Sequence, residues 1–509
     1  MNLQPSGRAS CPAVPASLLA ANPLRWLAIF GPGAVIASLT IGVGELIFSS
    51  RAGALFGYRL LWFFLLVLAL KWVLVFAGAR HIVLTGAHPF QRWMELPGPR
   101  GWFPLVFLLL AVPCFPIWVC FHAGTVGTLL AALTGTSAGL NGAAHLWWGL
   151  AVLAGVLALC LSGGYRALER VQLWIVLLML ASVVVSVFFI RPDWWEFFKG
   201  LLVPQAVAYP DWVTPATFPE IVARPVWLET TTYVGVIGGS SYDYLAYVSY
   251  LREKQWGHAA SAAGDRAALE RLAPDEAARL RGWLRAPLVD CTMSFAAVLV
   301  FTGIFVVCGA AVLGPQHKIP AGSNLLALQA EFVAAVHPWF RHLYFAGAFL
   351  AVFGTLYGTI EVAPTILREL ILAFRPRRAA ALESRMRRWS IAWVGLGGVA
   401  ILLGSLACHR LSGSDKPPGL IAILTPANLF TGVLGCGLIC ALNAWMDIRF
   451  LPRGWRAGAG WLALNGAAGA IFLLLGLRAS WDHSGWIAFA ILAATMAAGW
   501  LAALWTNRR

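Results

Sequence analysis

The chain has 509 residues, 60% of them hydrophobic and 12% charged, with 25 tryptophans. Soluble domains run nearer half apolar and a quarter charged, so this composition excludes an ordinary water-soluble protein and predicts an all-α polytopic membrane protein. The net charge of +15 sits mostly in connections between apolar runs, which fits membrane topology and argues against nucleic-acid binding.

Residues 1–25, rich in Ala and Pro, carry no signal-peptide pattern and are expected to form a cytoplasmic tail. Apolar windows then predict about 12 transmembrane helices, near 27–50, 58–79, 104–133, 145–162, 172–190, 227–251, 287–313, 342–373, 389–407, 419–446, 459–477 and 484–505. The second is expected to continue as a broken or interfacial element toward residue 95. Residues 191–226, rich in Trp and Pro, are expected outside the membrane. Residues 252–285 contain GDRAALERLAPDEAARLRGWL and are expected to form a short amphipathic helix pair inside. Bases concentrate in 251–286 and 375–388, so both termini are expected in the cytoplasm, and the plasma (inner) membrane is the expected location. The nine cysteines have no zinc-type spacing and mostly fall in apolar runs, where they act as small hydrophobes. No cofactor is expected.

Two spans carry their own helix breakers. The first, GPGAVIASLTIGVGELIFSS at 31–50, contains Gly31, Gly33, Gly42 and Gly44 followed by Glu45. The sixth, TTYVGVIGGSSYDYLAYVSYL, contains Gly235, Gly238, Gly239, Ser240 and Ser241 followed by Asp243. Non-helical backbone at membrane depth is tolerated where it lines a cavity or is buried in protein. Close helix packing through small residues is the competing reading for either span alone. Paired breaks with adjacent acids, at corresponding positions of two five-helix halves, favour a transporter with its site between the broken helices.

The stretch GPGAVIASLTIGVGELIFSSRAGALFGYRLLW also resembles the first-helix region of the Nramp metal-ion transporters. GGYRALERVQLWIVLLML, at 163–180, resembles that family's link between helices four and five. The resemblance implies a LeuT-type 5+5 inverted repeat with helices 1 and 6 broken, plus two additional helices. It therefore implies one transporter domain over 26–506, with repeat one at about 27–190, repeat two at about 227–446 and extra helices at about 459–505. The departures fall on the chemistry. Where the family has Asp-Pro-Gly-Asn, this chain has Gly42, Val43, Gly44 and Glu45; where it has Met-Pro-His, this chain has Gly239, Ser240 and Ser241. Family acids in the third helix align near Phe121 and Gly124.

A site built from Glu45, Asp243, Ser240, Ser241 and unwound backbone near Gly42, Gly44 and Gly239 would be all oxygen, with Glu45 and Asp243 the metal-ligating carboxylates. That donor set suits a hard cation such as Mg2+ or Mn2+ better than a soft transition metal. Ionisable groups inside spans are candidates for function or pairing. Lys71 either pairs with Glu45 or Glu361 or snorkels toward the cytoplasm. Glu361 is a candidate for gating or proton transfer. His122 either shuttles protons or is simply hydrogen-bonded. Asp290 is expected to cap a helix at the interface, Asp447 to pair at the surface near Arg449 and Arg453, and Glu169 to pair with Arg166 or Arg170. Because the third span holds no carboxylate, symport and uncoupled transport both stay open. The expected function is alternating-access transport of a divalent metal cation, with a small organic solute such as an amino acid or amine as the alternative. The partners are that cation or solute and the lipid bilayer. No HExxH, GxSxG or P-loop pattern supports an enzyme or an ATP-driven pump, and a channel would need pore-lining repeats that are missing.

Overall fold

A computed structural model describes residues 11–33, 42–162, 165–261, 263–376, 379–413 and 417–507. Among the described residues there are helices and no strands. The middle of the first predicted span, residues 34–41, the link residues 163–164, and the side chains of Arg166, Glu169 and Arg170 lie outside them.

The first span is described from Gly42 onward: a π-helical segment, Gly44–Ser49, runs into α1, Ser50–Phe56. The second is α2, Leu61–Thr85, closed by Gly86 in a left-handed C-cap. A short helix, Pro89–Trp93, then starts from a His88 capping box, so the second span does continue as a separate element. The helices α3, Trp102–Leu133, and α4, Ala144–Ser162, form a hairpin. After α5, Tyr165–Ile190, the chain turns by 116° into α6, Trp194–Leu202, whose Asp193 cap satisfies the Glu196 amide.

The sixth span is two helices, α7, Val226–Val236, and α8, Ser241–Glu253. Ile237 is extended, and Gly238 and Gly239 have φ of +82° and +95°. No side-chain-bearing residue holds that left-handed backbone without cost, so these two glycines end α7. Ser240 then starts α8 with a capping box in which Asp243 accepts from both the Ser240 amide and hydroxyl, at 2.8 Å each. The seventh span is α9, Arg285–Cys308, preceded by two short helices, Arg266–Glu270 and Pro274–Trp283, and followed by a π-helical segment, Gly309–Leu313. Next come α10, Phe340–Phe374, and α11, Ala379–Ser412. The tenth span is α12, Leu420–Asn428, a third π-helical segment, Leu429–Leu434, and α13, Gly435–Phe450. Finally α14, Ala459–Ser484, and α15, Trp486–Asn507, pack on the outside of the bundle.

Nine helical stretches among the described residues are long and apolar enough to cross a membrane, or ten with the bent α5–α6 pair. Twelve spans are therefore not reached by length and composition alone. The two predicted spans missing from this count are the first, of which 34–41 lie outside the described residues, and the sixth, which is divided into α7 and α8, each too short to pass. The described parts of both spans, the first from Gly42 onward, are almost wholly buried in the bundle. Gly309 meets the Ser50 carbonyl, and Gly432 meets the Gly235 backbone, so a Cβ at either site would collide. Small residues here let backbones approach closely.

Candidate binding cleft between the interrupted spans

The break at 237–240 borders a cleft of about 570 Å³. Gly44, Gly239, Ser240, Asp243 and His122 of the predicted residues line it, together with Thr355 and Thr359 of α10, Thr431, Trp118, Cys114, Phe115 and Tyr242. Gly42 lies against α10, where an added Cβ would run into the Thr355 hydroxyl. Gly44 lies 3.1 Å, measured from an ideal Cβ, from the Val236 carbonyl. In the first span these glycines serve close approach to α10 and α7; in the sixth, Gly238 and Gly239 make the break itself.

The lining interleaves polar and aromatic side chains. Asp243 holds the start of α8 through Ser240. The Thr359 hydroxyl donates to the Thr355 carbonyl at 2.8 Å and lies 3.3 Å from His122 Nδ1. The Trp118 indole donates to Thr431 Oγ1 at 3.1 Å, and its ring lies 5.5 Å from that of His122. Sequence reading passed over Thr355, Thr359, Trp118 and Thr431. The available signal was the pair of hydroxyls at i and i+4, which puts Thr355 and Thr359 on one face of α10. Thr431 carries no such signal, because only the π-helical segment turns it inward.

The other predicted residues are not brought to this cleft. Glu45 is fully buried, neither carboxylate oxygen has a hydrogen-bond partner among the described residues, and it faces Lys71, the Gly238 amide and Thr302 instead. Ser241 points its buried hydroxyl toward Gly435. Lys71 forms no ion pair with Glu45 or Glu361 among the described residues, and it does not snorkel. Its ammonium donates to the carbonyls of Val234, Ile237 and Gly239. Glu361 pairs with Arg387 in a second cleft of about 610 Å³ that also contains Glu253, Arg368 and Glu383. Asp290 accepts from the amides of Gly31 and Gly33, at 3.0 and 2.7 Å, and from Tyr247 at 2.8 Å, so it caps the start of the first span rather than its own helix. Asp447 pairs with Arg80 at 2.5 Å in place of Arg449 or Arg453. Among the described residues no three His, Cys, Asp or Glu side chains are grouped to hold a metal ion.

The family profile described as natural resistance-associated macrophage protein-like, Nramp, matches residues 33–406. The chain belongs to the Nramp family. Residues aligned with the divalent metal cation transporter MntH of Chromohalobacter salexigens are 28% identical over 211 positions, 38% of this chain and 44% of that protein. The metal transporter Nramp1 of Populus trichocarpa is 26% identical over 200 positions, 38% of this chain and 35% of its own length. The matched region thus spans less than half of these curated relatives. The fold is shared further: a crystal structure of the Eremococcus coleocola manganese transporter, bound to an aromatic bis-isothiourea substituted compound, superposes with a TM-score of 0.63 at 13% identity, covering 99% of both chains. This Nramp chain is therefore an all-α membrane protein with that transporter's helical arrangement. Its own letters at the interrupted spans are Gly42, Val43, Gly44, Glu45 and Gly239, Ser240, Ser241.

Proposed function

We propose that this Nramp-family chain is a secondary transporter that carries a divalent metal cation through the cleft between its interrupted spans. It is a carrier rather than an enzyme. The observation that supports this most directly is the convergence, at the break between α7 and α8, of the Asp243 carboxylate, the hydroxyls of Ser240, Thr355, Thr359 and Thr431, and the His122 ring. One carboxylate among hydroxyl oxygens, with a single imidazole beside them, suits a hard, partly hydrated ion such as Mg2+ or Mn2+. Glu45 lies behind the break, near Lys71, and is not among the residues that line the cleft. The domain reading follows: 26–506 act as one transporter domain, with repeats at about 27–190 and 227–446 rocking against each other. Both termini face the cytoplasm of the plasma (inner) membrane, on the strength of the basic 251–286 and 375–388 segments.

A second reading is favoured by the aromatic lining. Phe115, Trp118 and Tyr242 line the same cleft as Asp243, a combination that suits a small organic ammonium ion.

The test is flux in proteoliposomes. Wild-type protein is expected to move Mg2+ or Mn2+, and Asp243→Asn to lower that flux at least tenfold, about 1.4 kcal/mol. An Asn at 243 can still accept from the Ser240 amide, so the substitution removes charge while keeping the helix start. Undiminished flux in Asp243→Asn would overturn the site; flux of organic amines alone would favour the second reading. A pH dye trapped inside separates symport from uniport.

A further inference from the structure

α7 ends inside the bundle, so carbonyls at its end and in the break lack helical amide partners where no water replaces them. The Ile237 and Gly239 amides meet those of Tyr233 and Val236, and one lysine meets three of the others. Lys71, at the middle of α2 and fully buried, donates to Val234 O at 2.7 Å, Ile237 O at 2.7 Å and Gly239 O at 2.6 Å. An ammonium has three N–H donors, and each is accounted for. The carbonyls converge because Gly238 and Gly239 both have positive φ. Tyr244 donates to the Gly238 and Gly239 carbonyls, at 2.5 and 3.1 Å, and holds the turn from the α8 side. Gly238 packs on the Lys71 stem, with an ideal Cβ 3.4 Å from Cδ. The negative end of the α7 dipole points at the same place. Glu45 and Asp243 are the carboxylates facing Lys71, and neither is within ion-pair range. The stem and three carbonyls form a built cation site whose occupant is covalently attached.

We propose that Lys71 is a tethered cation that fills the carbonyl cage of the interrupted sixth span, in the place of a free monovalent cation. It is thereby a specificity-determining residue. With the Gly239 carbonyl already spent on Lys71, a transported ion is confined to the Asp243 and Ser240 side of the break. The oxygens stand at charge-assisted N–H···O distances and well outside the 2.0–2.1 Å that Mg2+ demands. An emptied cage therefore takes a large monovalent ion or an alkylammonium, not the divalent cargo. The specificity statement rests on the transport reading; the cage does not.

Lys71→Ala leaves a channel shaped for propylammonium, the side chain minus its Cβ. Purified Lys71→Ala in detergent is expected to unfold at a lower temperature than wild type. Adding millimolar propylammonium should raise its Tm by about 4 °C or more, with K+ giving a smaller rise and the wild type unmoved. Propanol, which fills space without charge, and choline, which is too bulky, should have no effect. Equal stabilisation by propanol, or none by propylammonium, would overturn the cage. If Lys71→Ala does not fold alone, it is extracted with propylammonium present, and failure to recover it there also counts against the cage. Lys71→Met, which keeps the stem, is expected to respond to K+ but not to propylammonium; a propylammonium response there would mean binding elsewhere and overturn the assignment. Tm shifts without wild-type divalent flux would sink the transport reading and leave the cage standing. Divalent flux with no shift would do the reverse.

Discussion

Charged residues of the same type differ greatly in weight here according to burial. Arg51 and Glu229 pair at 2.5 Å with both side chains almost wholly inaccessible. Tyr233 donates to the same carboxylate at 2.8 Å, Arg224 lies 3.5 Å from its second oxygen, and Arg51 also reaches the Pro320 carbonyl at 2.9 Å. Removing one partner strands the other charge, at about 3–5 kcal/mol. Arg368 links Glu253 and Glu383 at 3.5 and 3.4 Å, but it is 36% exposed and its partners more so. Screened pairs of that kind contribute about 0–1 kcal/mol. Glu229→Gln is therefore expected to lower Tm severely, and Arg368→Gln by little more than the error of the measurement; thermal melts of both in detergent check the order. None of these pairings was legible in the sequence. Arg80 finds Asp447 across 367 positions, whereas sequence proximity pointed to Arg449 and Arg453. Lys71 escaped for another reason: its partners are carbonyls, which every residue has and no letter distinguishes.

Among the elements, the sixth span was the most readable. Two adjacent glycines followed by Ser240 and, three residues on, Asp243 spell a helix stop and a helix start, and the structure has both. The break depends on left-handed backbone at Gly238, where an ideal Cβ also comes 2.7 Å from Leu68 Cδ2. Gly238→Ala is expected to destabilise by about 1–2 kcal/mol from backbone strain, before any clash is counted. Gly460, inside α14 with open space around its Cβ position, is the control. Gly460→Ala should be neutral or stabilising by up to about 1 kcal/mol. Equal Tm losses for both variants would remove the special role of the break. The π-helical segments at 44–49, 309–313 and 429–434 were not readable. Each inserts a register shift that follows from packing against another interrupted element, not from local propensity.

For the whole molecule, lipid and protein surfaces divide along the bundle. The most apolar stretch of α15 is only 11% buried by the rest of the chain, against 72% for the 420–450 span. An arginine at the middle of α15 would thus face hydrocarbon, with an insertion cost of about 2.5–3.5 kcal/mol, while one at its end lies near the headgroups. Met496→Arg is expected to cut the membrane-inserted fraction sharply and Trp486→Arg to leave it nearly unchanged, as read by glycosylation mapping of engineered acceptor sites. Similar insertion of both would place α15 inside an assembly rather than in lipid. At the same scale, Asp290 joins α9 to the start of the first span and the Arg387–Glu361 pair joins α10 to α11. These ties cross between elements that alternating access would move.

By itself the sequence determined the membrane, the approximate positions of most spans and the place where the sixth breaks. Hydropathy, glycine density and capping letters are local quantities, and each acts within a few residues of where it is written. It also carried the family, since ordered motifs survive where the ligand letters do not. Only the tertiary structure decided that Asp243 lines the cleft while Glu45 does not, and that Thr355, Thr359 and Thr431 line it too. Only the structure, too, placed Lys71 on three carbonyls of the sixth span. Those outcomes depend on helix rotation, set by packing among spans hundreds of residues apart, and on unwound backbone whose hydrogen-bonding groups are the same whatever residue bears them.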